Sequence, residues 1–162
     1  CASDHGEMLG DLCLWGKVVP YDGALRIPLI VAGPRLRAGA VSRAPAELAD
    51  IGPTLLDAAG LAPAVDGRAD GIENGGARSL LPILRGEAED ASLRTHQYVA
   101  LGGWRAVLFD GLKAIRDERG LAIIDRAQDP AERLDASHRL PKAAAYLERW
   151  LARYPEAPGA GV

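Results

Sequence analysis

Cysteine is nearly absent from this chain. Cys1 and Cys13 are the only two in 162 residues. Two cysteines make no disulfide framework, and their spacing fits no zinc pattern. They read as small, semi-buried residues, with a Cys1–Cys13 bridge the less favoured alternative. No apolar run approaches the roughly 20 residues of a membrane span. No excess of one charge is present either: 19 basic residues stand against 22 acidic ones, a net charge of −3. That leaves no electrostatic footprint for nucleic acid or an anionic membrane. Internal repeats, extended low-complexity segments and the pattern of a signal peptide are also missing.

What remains has the proportions of one ordinary globular domain, with 48% apolar and 25% charged residues. The chain opens on Cys1 rather than Met and reaches Asp4-His5 within a few apolar-leaning residues. This predicts a strand cut partway along, and hence a piece of a longer polypeptide. Residues 1–6 read as a strand end running into a Gly turn, the place where open α/β sheets build their sites. Residues 7–27 read as a loop broken by Gly10, Gly16, Pro20 and Gly23. Leu29-Ile30-Val31-Ala32, bounded by Pro28 and Gly33-Pro34, predicts a strand buried on both faces. Arg35, Arg37 and Arg43 mark a solvated, basic connector.

Asp50 is placed to cap a helix from Ile51 to about Ala59, with Ile51, Leu55, Leu56 and Ala59 as its apolar stripe. Residues 62–77 read as a surface loop, and Ser79–Gly86 as a short helical turn. Then come four short strand candidates, Gln97–Leu101, Trp104–Phe109, Leu112–Arg116 and Leu121–Asp125. Asp110-Gly111 is a strong hairpin signal between the second and third. A helix over about 142–153, apolar at Leu147, Trp150, Leu151 and Tyr154, should pack on that meander. Trp104 and Trp150 read as core between the two. The expected organisation is an α/β core with a site loop over 1–95, an antiparallel meander and packing helix over 96–154, and a frayed tail over 155–162.

The chemistry concentrates in Ser3-Asp4-His5-Gly6-Glu7, followed by Leu14-Trp15-Gly16-Lys17. Asp and neutral His are metal ligands, and Lys is a point charge suited to an anion. Taken alone, Asp4-His5 reads as readily as a capping Asp beside a surface His, and Lys17 as a solvated lysine. Glu7 and Asp11 read as carboxylates that fix the loop. Arg26 reads as a structural partner of Asp22 or Glu7. Trp15 either lines the site or packs. His96 and His138 have no partners at metal spacing and read as surface residues.

In sequence order, these segments resemble the sulfatase family of the alkaline-phosphatase superfamily. The resemblance runs through Asp4-His5-Gly6-Glu7, Leu14-Trp15-Gly16-Lys17 and Arg26-Ile27-Pro28-Leu29-Ile30-Val31. It continues through Asp50-Ile51-Gly52-Pro53-Thr54-Leu55-Leu56 and Ser79–Gly86. It returns at Trp104-Arg105, Lys113-Ala114-Ile115-Arg116 and Asp129-Pro130-Ala131-Glu132. Each piece alone is weak, and their order makes them specific for the C-terminal half of such an enzyme. The resemblance implies an α/β fold forming the C-terminal part of an alkaline-phosphatase-like sandwich.

It also implies roles. Asp4 and His5 match a pair of divalent-metal ligands, most often for Ca2+, with Mn2+ or Mg2+ as alternatives. Lys17 matches a lysine that contacts the sulfate oxygens. A cation and an ammonium around a charged ester would stabilise the charge that builds on its leaving oxygen. Leu12 stands where many relatives have His, Asp22 where Glu is common, and Leu134-Asp135 where Asn-Leu is usual. The Cys/Ser-x-Pro-x-Arg segment that yields the formylglycine nucleophile occurs nowhere in the 162 residues. Neither Cys1 nor Cys13 begins such a segment. The resemblance places that nucleophile upstream, with the first metal-binding Asp pair, so this chain alone is expected to lack turnover.

The expected substrate is a sulfate-ester small molecule or a sulfated glycan, and the expected partner is the missing N-terminal half of the fold. A phosphonate or phosphate monoester hydrolase of the same superfamily is the alternative, as is a non-catalytic remnant serving as an interaction module.

Overall fold

The computed structural model describes residues 1–61, 76–90 and 93–154. The expected surface loop falls largely outside these residues, and the expected tail wholly so. Contacts divide the chain into two compact units, Cys1–Leu29 with Tyr98–Val162, and Ile30–Gln97.

The first unit is built on a four-stranded antiparallel meander in the order β1-β2-β3-β4. Its strands are β1 (His96–Leu101), β2 (Trp104–Phe109), β3 (Leu112–Asp117) and β4 (Gly120–Asp125). All four expected strands are present, within a residue at each end. Asp110 and Gly111 turn the chain between β2 and β3 with φ of 46° and 79°. Both are left-handed, as the tight hairpin turn that follows strand twist requires. In register, Val107 faces Ala114 and Ala114 faces Ile123, while Ala106 faces Ile115 and Lys113 faces Ile124.

Alternation sorts these rows onto opposite faces. Helix α4 (Pro141–Leu151) packs across β2, β3 and β4, burying Leu147 and Leu151. Tyr154 follows it and stacks on Tyr98 with ring centroids 3.9 Å apart. The other row, Ala106, Ile115 and Ile124, forms a core cluster against which Tyr21, Val99 and Trp104 pack. Trp104 therefore packs on the face of the sheet away from α4, not between sheet and helix as expected, because position 104 shares the parity of Ala106. Trp150 is half-buried, with the Arg153 guanidinium 4.5 Å above its ring.

In the second unit, helix α2 (Ile51–Ala58) and helix α3 (Leu81–Arg85) form as expected. Gly86 ends α3 in the left-handed conformation that a Gly C′ position favours. The apolar stripe expected on α2 is not the buried one. Pro53 and Thr54 are buried, and Leu55 and Leu56 face solvent. The Thr54 hydroxyl explains this: it donates to the Asp50 carbonyl at 2.6 Å and accepts from the Leu80 amide at 2.8 Å. Asp50 does not cap α2 with its side chain either. Its fully buried carboxylate accepts from the amides of Glu47 and Arg78 and from both guanidinium nitrogens of Arg94, at 2.6–2.8 Å.

Three further expectations change. The strand expected at 29–32 is reduced to a single bridge, Ala2 to Leu29, and Leu29, Ile30 and Val31 are 38%, 65% and 41% exposed. Cys1 and Cys13 are exposed rather than semi-buried, and no disulfide joins them. His96 is buried, not on the surface, and its Nδ1 lies 3.0 Å from the Thr95 hydroxyl. Among the described residues, no helix is long and apolar enough to cross a membrane.

Candidate cation and anion site

The site loop is built from short backbone links rather than regular structure. The Gly6 amide donates to the Ala24 carbonyl at 2.8 Å, and the Met8 amide to the Gly16 carbonyl at 3.0 Å. Met8 is buried beneath the loop. A Cβ on Gly6 would stand 2.1 Å from the Gly23 carbonyl oxygen, so only glycine fits that crossing. Glu7 accepts a hydrogen bond from the Gly16 amide, the loop-fixing role expected of it.

This folding brings Asp4, His5 and Lys17 together. His5 Nδ1 lies 2.8 Å from the Gly6 carbonyl oxygen. A carbonyl only accepts, so Nδ1 carries the proton and Nε2 presents the lone pair of the neutral ring. That Nε2 stands 3.5 Å from an Asp4 carboxylate oxygen and within hydrogen-bonding reach of the Lys17 ammonium. Asp4 is largely exposed, and its other oxygen accepts from the His5 amide at 3.0 Å. Trp15 is also exposed, with its ring edge against Gly10, and the structure gives it no role in this cluster.

As a donor set, one carboxylate and one imidazole with its second nitrogen anchored to a carbonyl suit a divalent cation. They are two donors where a cation such as calcium takes 6–8 oxygens. No group of three or more His, Cys, Asp or Glu suited to a metal occurs among the described residues. The fit is thus that of a partial site.

Behind the loop lies a buried charge cluster that sequence reasoning missed. The Lys113 ammonium on β3 donates to the Pro20 carbonyl at 3.0 Å and to Asp22 at 2.6 Å, and it pairs with Glu132. Arg126 holds the second Asp22 oxygen at 2.6 Å. Asp22 therefore pairs with Lys113 and Arg126, where Arg26 was expected. Burial pushes the Asp22 carboxyl up, but the hydrogen bonds and charges of Lys113 and Arg126 outweigh it and hold the pKa below the usual carboxylate value. The signal was a lysine in a strand at the parity of Ile115, on the face that should be apolar.

The architecture and the loop define a segment of an alkaline-phosphatase-like α/β fold. A protein solved in complex with its substrate D-glucosamine-2-N,6-O-disulfate superposes with a TM-score of 0.78 at 25% identity, covering 93% of this chain and 32% of that one. The phosphonate monoester hydrolase of Agrobacterium radiobacter gives a TM-score of 0.71 at 26% identity, covering 94% and 34%. Residues 1–61 match the Sulfatase family model. The choline-sulfatase of Rhizobium meliloti is 34% identical over 110 residues, 65% of this chain and 21% of that relative. Through these matches the chain resembles the sulfatase family, its first 61 residues most directly. It spans about a fifth of that curated relative and about a third of those structures.

Proposed function

We propose that the chain is the part of a sulfatase-type hydrolase that supplies one side of its charged-ester site. Asp4 and His5 hold a divalent cation, Lys17 contacts the anionic group of the ester, and the nucleophile lies in the rest of the protein. The carrying observation is the convergence of Asp4 and Lys17 on Nε2 of His5, within the segment that matches the family.

The cation, when bound, supplies positive charge against the ester oxygens. This chain's residues orient it and set the site's polarity. The Gly6 carbonyl holds the proton on Nδ1, so Nε2 is always the ligating nitrogen. The exposed Lys17 ammonium can swing on its flexible stem from Nε2 to a sulfate oxygen, adding a charge-assisted hydrogen bond that strengthens as the leaving oxygen becomes anionic. The substrate class we favour is a sulfate ester, a small molecule or a sulfated sugar. The complexed neighbour, named for a sulfated sugar substrate, supports this reading. A phosphonate or phosphate monoester is the second reading, favoured by the likeness to the phosphonate monoester hydrolase.

Calorimetric titration of the chain with inorganic sulfate, in calcium-containing buffer, tests both readings. Sulfate should bind, and Lys17→Ala should weaken it about tenfold, the scale of one charge-assisted hydrogen bond. Equal binding by the two proteins would remove Lys17 from the site. Methylphosphonate binding tighter than sulfate would turn the assignment to the second reading.

A further inference from the structure

We propose that Lys113, Glu132 and Trp104 are positioning residues: together they clamp the return limb of the site loop onto the face of the meander and thereby set the geometry of His5 and Lys17. The inference rests on the reading of Asp4, His5 and Lys17 as the site.

The limb after Lys17 is fastened at every second residue. The Trp104 indole N–H donates to the Val18 carbonyl at 3.3 Å. Lys113 Nζ donates to the Pro20 carbonyl at 3.0 Å and to the Asp22 carboxylate at 2.6 Å. The Asp22 amide donates to Glu132 Oε2 at 2.5 Å. Residues 18, 20 and 22 of this bent segment are thus held to the sheet by side chains instead of a ladder.

Asp22 opens helix α1 (Asp22–Leu25), a single turn whose first amide is the one Glu132 accepts from. The turn's next residues meet the site: the Gly23 carbonyl leaves no room for a Cβ on Gly6, and the Ala24 carbonyl accepts the Gly6 amide. Gly6 in turn supplies the carbonyl that fixes the His5 tautomer. Three hydrogen-bonded steps, joined through the covalent turn Asp22–Ala24, therefore run from Glu132 and Lys113 to the His5 ring: onto Asp22, from Gly6 to Ala24, and from His5 to Gly6. Lys17 lies one residue before the first fastening point, and the Gly16 carbonyl on its other side accepts the Met8 amide.

Two features mark the cluster as more than packing. Lys113 is fully buried although a methionine of similar volume would satisfy the core. Glu132, also buried, holds a left-handed backbone with φ of 54°. A non-glycine residue keeps such a conformation only where its surroundings over-determine it, and such strain gathers at functional sites.

The test uses the whole 162-residue chain labelled with 15N. Long-range proton–nitrogen spectra at fixed pH read which ring nitrogen of His5 holds the proton, and calorimetry reads sulfate affinity. The parent should show a single Nδ1–H tautomer. Lys113→Met, Glu132→Gln and Trp104→Phe should each mix the tautomers, speed exchange of the Gly6 amide and weaken sulfate binding, the first two by roughly tenfold. The Tyr146 and Phe109 ring signals should stay in place, showing that the meander and α4 remain folded. Folded variants with the parent's tautomer and sulfate affinity would overturn the clamp. Should Lys113→Met fail to fold, the near-isosteric Glu132→Gln and the single-contact Trp104→Phe decide. Sulfate binding unaffected by Lys17→Ala would remove the site reading instead, and the His5 tautomer and Gly6 exchange would still judge the clamp.

Discussion

Among the described residues, each unit buries the side chain of one lysine or arginine completely, and the two cations do opposite things. Arg94, in the unit Ile30–Gln97, turns its planar fork on the Asp50 carboxylate with contacts of 2.6 and 2.7 Å, with Glu47 and the Pro45 carbonyl beside it. Lys113, in the other unit, spreads its ammonium over the Pro20 carbonyl, Asp22 and Glu132. A rigid guanidinium suits one bidentate partner, whereas an ammonium with three independent donors can gather separate pieces of chain. The arginine pair ties residues 44 apart within one local unit. The lysine cluster ties residues 91 apart and reaches the site loop. One buried charge closes a structural knot, and the other holds a working surface.

Removing each cation is the strongest test of this contrast. Arg94→Leu should cost about 3–5 kcal/mol, because it leaves the Asp50 carboxylate buried and without its cation. Far-UV circular dichroism and amide exchange over α2 are the measurements, since all three tryptophans lie in the other unit. Lys113→Met should cost no more than that, about 3 kcal/mol: it leaves Glu132 buried without its cation, but Asp22 keeps Arg126 and is partly exposed. Tryptophan fluorescence during urea unfolding follows it. A larger loss for Lys113→Met than for Arg94→Leu would invert the comparison.

Acid sharpens it further. The Asp22 carboxyl has a folded-state pKa below its unfolded value, so its contribution is fully present above the unfolded pKa near 4 and is lost as pH falls through the lower folded value. Urea midpoints read by tryptophan fluorescence should fall below about pH 4. Asp22→Asn should lower the midpoint at neutral pH and flatten that acid limb. The smallest effect belongs to the exposed pair of Arg116 and Glu148. Glu148→Ala should change stability by less than about 1 kcal/mol, and 1 M salt should erase most of the difference.

The meander was legible because its signals are local. Alternation marks β2 to β4, Asp110-Gly111 demands a left-handed turn, and Leu147 with Leu151 marks the inner face of α4. The proximity of Asp4, His5 and Lys17 was legible too, through a short loop with glycine where the chain crosses itself. What failed needed partners far away in sequence. Asp50 looks like an N-cap until Arg78 and Arg94 claim its oxygens. Leu29, Ile30 and Val31 have the composition of a buried strand, but among the described residues only Ala2 bridges to them, and composition alone buries nothing. Lys113 could have been flagged by parity, but its acceptors on residues 20, 22 and 132 could not.

The clamp also dictates an order in time. Asp22 leaves the ribosome well ahead of Glu132, which accepts its amide and follows 110 residues later. At about 5–20 residues per second, the site loop waits roughly 5–20 s for its last fastening. Throughout that interval Asp4, His5 and Lys17 are present but unplaced, open to any cation or anion they meet. The site loop therefore takes its final shape only when β3, β4 and Glu132 arrive to hold it down.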